Sequence, residues 1–133
     1  MALKNQICCL ARIGAGAVEP LAASLAAVGY PPPVVVDALA VTEIGLLDPN
    51  LLVLDIDGLD GDALEMLRML RFVLPRCTIA VYTDVLEEPW ARACHLAGAN
   101  CLLSKATDAA QVTAGLERSL HSGCFTDPSF RAA

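Results

Sequence analysis

Basic side chains are scarce. The chain has 9 Lys and Arg against 15 Asp and Glu, for a net charge of −6 over 133 residues. Phosphate affinity comes mostly from Lys and Arg, so direct nucleic-acid binding is not expected. Long apolar runs are lacking too, although 56% of the residues are hydrophobic. The stretch Leu21 to Val36 is uncharged but carries Gly29 and Pro31-Pro32-Pro33. A spanning helix needs roughly 20 apolar residues without such a break. Ile7 to Ala11, bounded by Arg12, is too short for the apolar core of a signal peptide. A cytoplasmic location and no membrane contact are the expectation. No C-x-x-C pair occurs among the six cysteines, Cys8, Cys9, Cys77, Cys94, Cys101 and Cys124, and His95 and His121 lie in no zinc spacing. The cysteines read as small, reduced, buried hydrophobes. The two His read as surface residues on helices. Gly14-Ala15-Gly16 lacks the third glycine of a G-x-G-x-x-G loop, which disfavours a nucleotide- or flavin-binding enzyme. Acids are absent from residues 1–18, while five crowd into residues 55–65.

What is present suits one domain with one good core. Ala and Leu, 22 and 21 residues, make up about a third of the chain, which excludes disorder. Short apolar runs alternate with segments of helical period. Strands are expected at Gln6–Ala11, Val34–Val36, Leu51–Leu54, Cys77–Tyr82 and Asn100–Leu103. Helices are expected from Glu19-Pro20 to Gly29, over Val41–Leu47, Asp62–Leu74, Glu87–Ala97 and Thr107–His121. The continuous run Leu51-Leu52-Val53-Leu54 suits a strand buried on both faces. The order βαβαβαβαβα implies an α/β fold, a doubly wound parallel sheet of five strands in order 2-1-3-4-5. Residues 1–122 form the domain, and 123–133 read as a tail or the start of a linker. Phe125 and Phe130 in that tail either fold back or reach a partner.

Such sheets gather reactive groups at the carboxyl ends of their strands. Those ends carry Ala11-Arg12, Asp37, Asp55-Ile56-Asp57, Thr83-Asp84 and Ser104-Lys105. A carboxylate, a hydroxyl and a lysine on neighbouring strand ends form a coherent set. The first could accept a phosphoryl group and the others could hold its oxygens. Asp62 reads as a helix cap or first-turn acid with Glu65 as its capping-box partner. The acidic run does not fit a Ca²⁺ loop, because Leu59 and Asp60 fall where an acid and a glycine are needed. Trp90, near a helix start, reads as packing.

These residues resemble the receiver domain of bacterial two-component response regulators over roughly residues 5–121. Leu51–Asp55 resembles the strand ending in the phospho-acceptor, Ala80–Thr83 the strand ending in the hydroxyl residue, and Gly98-Ala99-Asn100 with Leu103-Ser104-Lys105 the segment ending in the lysine. The intervals are 28 residues from Asp55 to Thr83 and 22 from Thr83 to Lys105. The ending from Gly123 to Pro128 resembles the subclass with a LuxR-type DNA-binding output. The resemblance implies a non-enzymatic signalling domain whose partner is a histidine kinase, an output domain or another regulator. It also implies dimerisation through residues 86–121, where Ala91, Ala93, Leu102, Val112 and Leu116 are either interface or core.

Four departures mark the chain as atypical. The acidic pair that binds Mg²⁺ in the family corresponds to Ala11 and Arg12, and the first acid in the chain is Glu19. Mg²⁺ needs several hard oxygen ligands, so only weak binding, at Asp55 and Asp57, is expected if any. Gly58-Leu59-Asp60-Gly61-Asp62 replaces the usual turn, Leu102 stands at the aromatic switch position, and Ala106 follows the lysine. Arg12 either pairs with Asp55 or Asp57 in the emptied metal position or is a solvated loop residue. Lys105 either awaits a phosphoryl group or pairs with Asp55. The resulting expectation is an atypical receiver acting through protein contacts with impaired phosphorylation. The alternative is a working phosphorelay receiver controlling transcription, with Asp57 and Asp60 replacing the lost acids.

Overall fold

The structure, a computed structural model, describes residues 6–37, 40–59 and 62–130. The elements are β1 (Cys8–Ala11), α1 (Ala15–Ala27), β2 (Val34–Val36), α2 (Val41–Leu47), β3 (Leu51–Leu54), α3 (Asp62–Val73), β4 (Thr78–Thr83), α4 (Glu88–Ala97), β5 (Cys101–Ser104), α5 (Ala109–Ser122) and β6 (Phe125–Thr126). All pairings are parallel, in the order β2-β1-β3-β4-β5-β6. The expected α/β architecture and the order of the first five strands are present. The count is corrected: among the described residues the sheet has six strands. Two residues are too few to show a period, and only the free edge of β5 makes Phe125–Thr126 a strand.

Alternation along the strands builds a core on each face of the sheet. Cys9, Ala11, Leu52, Leu54, Ile79, Val81 and Leu102 pack with residues of α2, α3 and α4. Cys8, Leu10, Leu51, Val53, Ala80, Cys101 and Leu103 pack with α1 and α5. The adjacent Cys8 and Cys9 therefore enter different cores. Five thiols are buried, whereas Cys124 is exposed, which corrects the expectation for that residue. Burial pushes Cys9 up to about 11 and Cys77, Cys94 and Cys101 up to about 12.

α1 also differs from its expected start. It begins at Ala15, and Pro20 lies inside it. Gly14 provides the extended N-cap, and its carbonyl receives the Ala17 amide at 2.9 Å. The small residues Ala15, Gly16 and Ala17 extend the helix one turn ahead of the acid-proline signal. Pro20, on the exposed side, removes one i→i−4 hydrogen bond from the helix. Leu21 and Leu25 still supply the buried stripe, and Gly29, at φ +96, ends the helix where expected. Among the described residues no helix is long and apolar enough to cross a membrane.

Candidate functional site

The register aligns the carboxyl ends of β1, β3, β4 and β5. Ala11 lies beside Leu54, Leu54 beside Val81, and Thr83 beside Ser104. The next residues, Arg12, Asp55 and Lys105, thus converge with Thr83 on one edge of the fold. Asp57 joins them because the Asp55 side chain folds the loop back: its Oδ1 accepts the Asp57 amide at 2.8 Å.

Lys105 is the centre of the cluster. Its Nζ lies 2.6 Å from Asp55 Oδ2 and 2.8 Å from Asp57 Oδ2. Asp57 Oδ1 accepts from the Thr83 hydroxyl at 2.5 Å, and Oδ2 accepts from the Asp84 amide at 3.0 Å. Thr83 is fully buried, and its Oγ1 in turn accepts the Val85 amide at 3.0 Å. Burial works against ionisation of Asp57. The hydrogen bonds from Lys105, Thr83 and Asp84, with the Lys105 charge, outweigh it and hold the carboxyl below its ordinary 3.8. Burial likewise opposes the Lys105 charge, but bonds to Asp55 and Asp57 and their charges hold the ammonium above its ordinary 10.5.

Arg12 occupies a different part of the site from the one anticipated. Its backbone is left-handed, at φ +58, and its amide donates to the Val36 carbonyl at 2.9 Å. Nη1 donates to the carbonyl oxygens of Asp55 at 3.1 Å and Asp57 at 2.9 Å. Neither the expected ion pair with a carboxylate nor a solvated guanidinium is found. The carboxylates are already held by Lys105, and the carbonyls turned toward Arg12 are the acceptors left. Ala11, the other position of the missing acidic pair, is wholly buried in the core.

This donor set does not fit Mg²⁺. It offers two carboxylates, both engaged by one ammonium, and two carbonyls engaged by a guanidinium. Among the described residues no group of three or more His, Cys, Asp or Glu could hold a metal ion. Asp60 lies outside the described residues. Asp62 is an exposed first-turn acid of α3, and Glu65 faces Arg68 at 3.8 Å rather than closing a capping box.

Leu102 is buried in the α4-side core, so no aromatic switch stands at that position. Of the residues considered for an interface, Ala91, Leu102, Val112 and Leu116 are core, and Ala93 is half-buried. Trp90 packs against the core beside a groove of about 260 Å³ lined by Ile56, Asp57, Gly58, Ala63 and Val85. His121 is exposed, but His95 is half-buried and bonded at both ring nitrogens. The sequence reading missed the Asp84 amide, since a backbone donor leaves no residue-type signal. It also undervalued Asp57, whose D-x-D spacing from Asp55 was the available clue.

No family model and no curated protein matches the chain. Solved structures do. The isolated receiver domain of RcsB from Salmonella enterica serovar Typhimurium, in the presence of a beryllofluoride phosphomimetic, superposes with a TM-score of 0.79 at 16% identity, covering 96% of each chain. A LuxR-family two-component response regulator from Aurantimonas gives 0.72 at 20% identity, covering 92% of this chain and 90% of that one. A CheY-like protein, tadZ, from Pseudomonas aeruginosa gives 0.68 at 19% identity, covering 85% and 98%. The strand order, the five helices and these superpositions together show that the chain has the fold of response-regulator receiver domains.

Proposed function

We propose that the chain is an atypical receiver domain that transmits signals through protein–protein contacts, with Mg²⁺-dependent aspartyl phosphorylation impaired. One observation carries this reading: Lys105 bridges Asp55 and Asp57 while the Arg12 guanidinium takes the carbonyls of the same two residues. Two acids and two bases cancel. A divalent cation would have to displace a tethered cation from its oxygens. Phosphoryl transfer needs such a cation to neutralise developing charge, and among the described residues no group of three or more His, Cys, Asp or Glu could hold one. The domain is read as non-enzymatic and cytoplasmic, its partner a kinase, an output domain or another regulator.

A working phospho-receiver is the second reading. It is favoured by the placement of Lys105 at 2.6 Å from Asp55, with the Thr83 hydroxyl on the adjoining strand end. Acetyl phosphate or beryllofluoride with Mg²⁺, followed by amide chemical shifts, separates the two. The atypical reading expects no shifts at Asp55, Thr83 and Lys105. Shifts there that vanish in Asp55→Asn would establish the second reading instead.

A further inference from the structure

The tail after α5 folds back on its own sheet, with Phe125 packed on the α5-side core and Phe130 on the α4-side core. An open apolar surface adjoins the acidic site instead. It is the groove of about 260 Å³ lined by Ile56, Gly58, Ala63, Val85 and Trp90, with Asp57 from the site. It lies where the first turns of α3 and α4 meet the loops that follow β3 and β4. Val85 is 37% exposed there, although its side chain is aliphatic. Trp90 lines the groove with its indole N–H buried and without a hydrogen-bond partner among the described residues. A buried indole N–H normally finds a partner, so the chain by itself does not complete this seat.

The unpaired charges around the groove are of one sign. Asp62 precedes Ala63, Asp84 precedes Val85, and Glu87 stands at the N-cap of α4, three residues before Trp90. All three acids are exposed, and none is in an ion pair among the described residues. The neighbouring bases are engaged: Lys105 by Asp55 and Asp57, Arg12 by their carbonyls, and Arg92 by Glu88 at 3.1 Å. The groove is smaller than the roughly 300–1,000 Å³ of pockets that take whole small molecules. It suits one or two side chains.

We propose that this groove receives an Arg or Lys side chain, with an apolar neighbour, from a basic segment of a partner protein. The apolar lining covers the methylene stem. The indole face attracts the cation, and the acidic rim draws the segment in. The segment's backbone supplies carbonyl acceptors of the kind the Trp90 N–H lacks. A second copy of this chain fits less well, because two chains of net charge −6 repel. This docking rests on the protein contact of the proposed function and gives it a place. It does not depend on whether Asp55 accepts a phosphoryl group.

Trp90 is the only tryptophan, so its emission reports on the groove. Random short peptides displayed on phage are selected on the full chain and then depleted on Val85→Arg, which places a base in the groove. The recovered sequences should pair Arg or Lys with a large apolar residue. Synthetic copies of them should change Trp90 emission saturably and weaken as salt is raised. They should bind Val85→Arg and Glu87→Lys at least tenfold more weakly than wild type. Glu87 makes no side-chain capping bond, so its reversal spares α4. Copies with Glu in place of Arg and Lys should not bind. Recovery of acidic or uncharged sequences overturns the proposal, as do peptides that bind Glu87→Lys as tightly as wild type, or a selection in which Val85→Arg depletes nothing. If Val85→Arg does not fold by circular dichroism, Glu87→Lys takes its place in the depletion step. The beryllofluoride experiment decides phosphorylation separately: shifts at Asp55 overturn that reading and leave the groove, and silent shifts with failed peptides do the reverse.

Discussion

Arg12 donates to the backbone carbonyl of Asp57 at 2.9 Å and leaves the Asp57 carboxylate to Lys105. The two cations of the site thus divide its oxygens, guanidinium to carbonyls and ammonium to carboxylates. Arg12→Ala removes two charge-assisted hydrogen bonds, and a loss of about 1–3 kcal/mol is expected from urea unfolding. Arg12→Gly loses the same bonds but relieves the left-handed backbone, and should be less destabilising than Arg12→Ala by roughly 1 kcal/mol. Unchanged urea midpoints in both variants would mean the contacts carry no stability.

Lys105→Met leaves the Asp55 and Asp57 carboxylates facing each other without their ammonium partner, with Arg12 on the carbonyls of the same residues. The side chains of all three are at most 26% exposed. A destabilisation of about 2–4 kcal/mol is expected, somewhat under the range for fully buried pairs. The Asp57 carboxyl should also titrate at higher pH than in wild type, because like charges oppose a second ionisation. Carbon-detected NMR titration reads this directly, and an unmoved Asp57 curve would refute the assignment of Lys105 as its principal partner.

The two shifts set a pH window. Asp57 is held below 3.8, so its contribution is complete above that unfolded value and is lost as pH falls through the lower folded one. Lys105 is held above 10.5, so its contribution is complete below that value and is lost as pH rises through the higher folded one. Urea midpoints should therefore fall on the acid side, below about pH 4, and Asp57→Asn should flatten that limb. An acid limb equally steep in Asp57→Asn would assign it to other carboxylates.

Gly98 ends α4 at φ +124, and a Cβ there would lie 2.7 Å from Arg71 Cβ. Arg71 is itself fixed, donating to the carbonyls of Gly98, Leu74 and Cys77 and to Asn100 Oδ1. Gly98→Ala therefore combines a strained φ with a clash against an anchored side chain. A loss of about 2–4 kcal/mol in thermal or urea unfolding is expected. A variant as stable as wild type would show that Arg71 moves freely.

Cys124 is the only exposed thiol of the six, all of which lie among the described residues. One fast-reacting thiol per native chain is expected with a disulfide reagent, against six after unfolding. Cys124→Ser should abolish the fast phase. Two or more fast thiols in the native protein would contradict the burial of Cys8, Cys9, Cys77, Cys94 or Cys101.

The missing acids and the strand-end residues could be read because they are matters of residue type and order. Asp55, Thr83 and Lys105 each follow or end an apolar run, and parallel pairing brings such ends together. The destination of Arg12 could not be read. Its choice between carboxylate and carbonyl depends on Lys105, 93 residues further along the chain, having already taken both carboxylates. The beginning of α1 is not legible in the sequence, because Glu19-Pro20 is a strong local signal, while Ala15-Gly16-Ala17 is helical only once Gly14 caps it and Leu21 and Leu25 are buried.

By itself the sequence determined that this protein is an α/β domain with a receiver-like arrangement of strand ends and no acidic pair after its first strand. Apolar runs, helical period and residue identity are local properties, and they survive without coordinates. Tertiary structure alone decided that Lys105 bridges two carboxylates, that Arg12 binds their carbonyls, and that Phe125–Thr126 closes the sheet as a sixth strand. Each of those outcomes is a competition among partners distant in the chain, and only packing settles which partner wins.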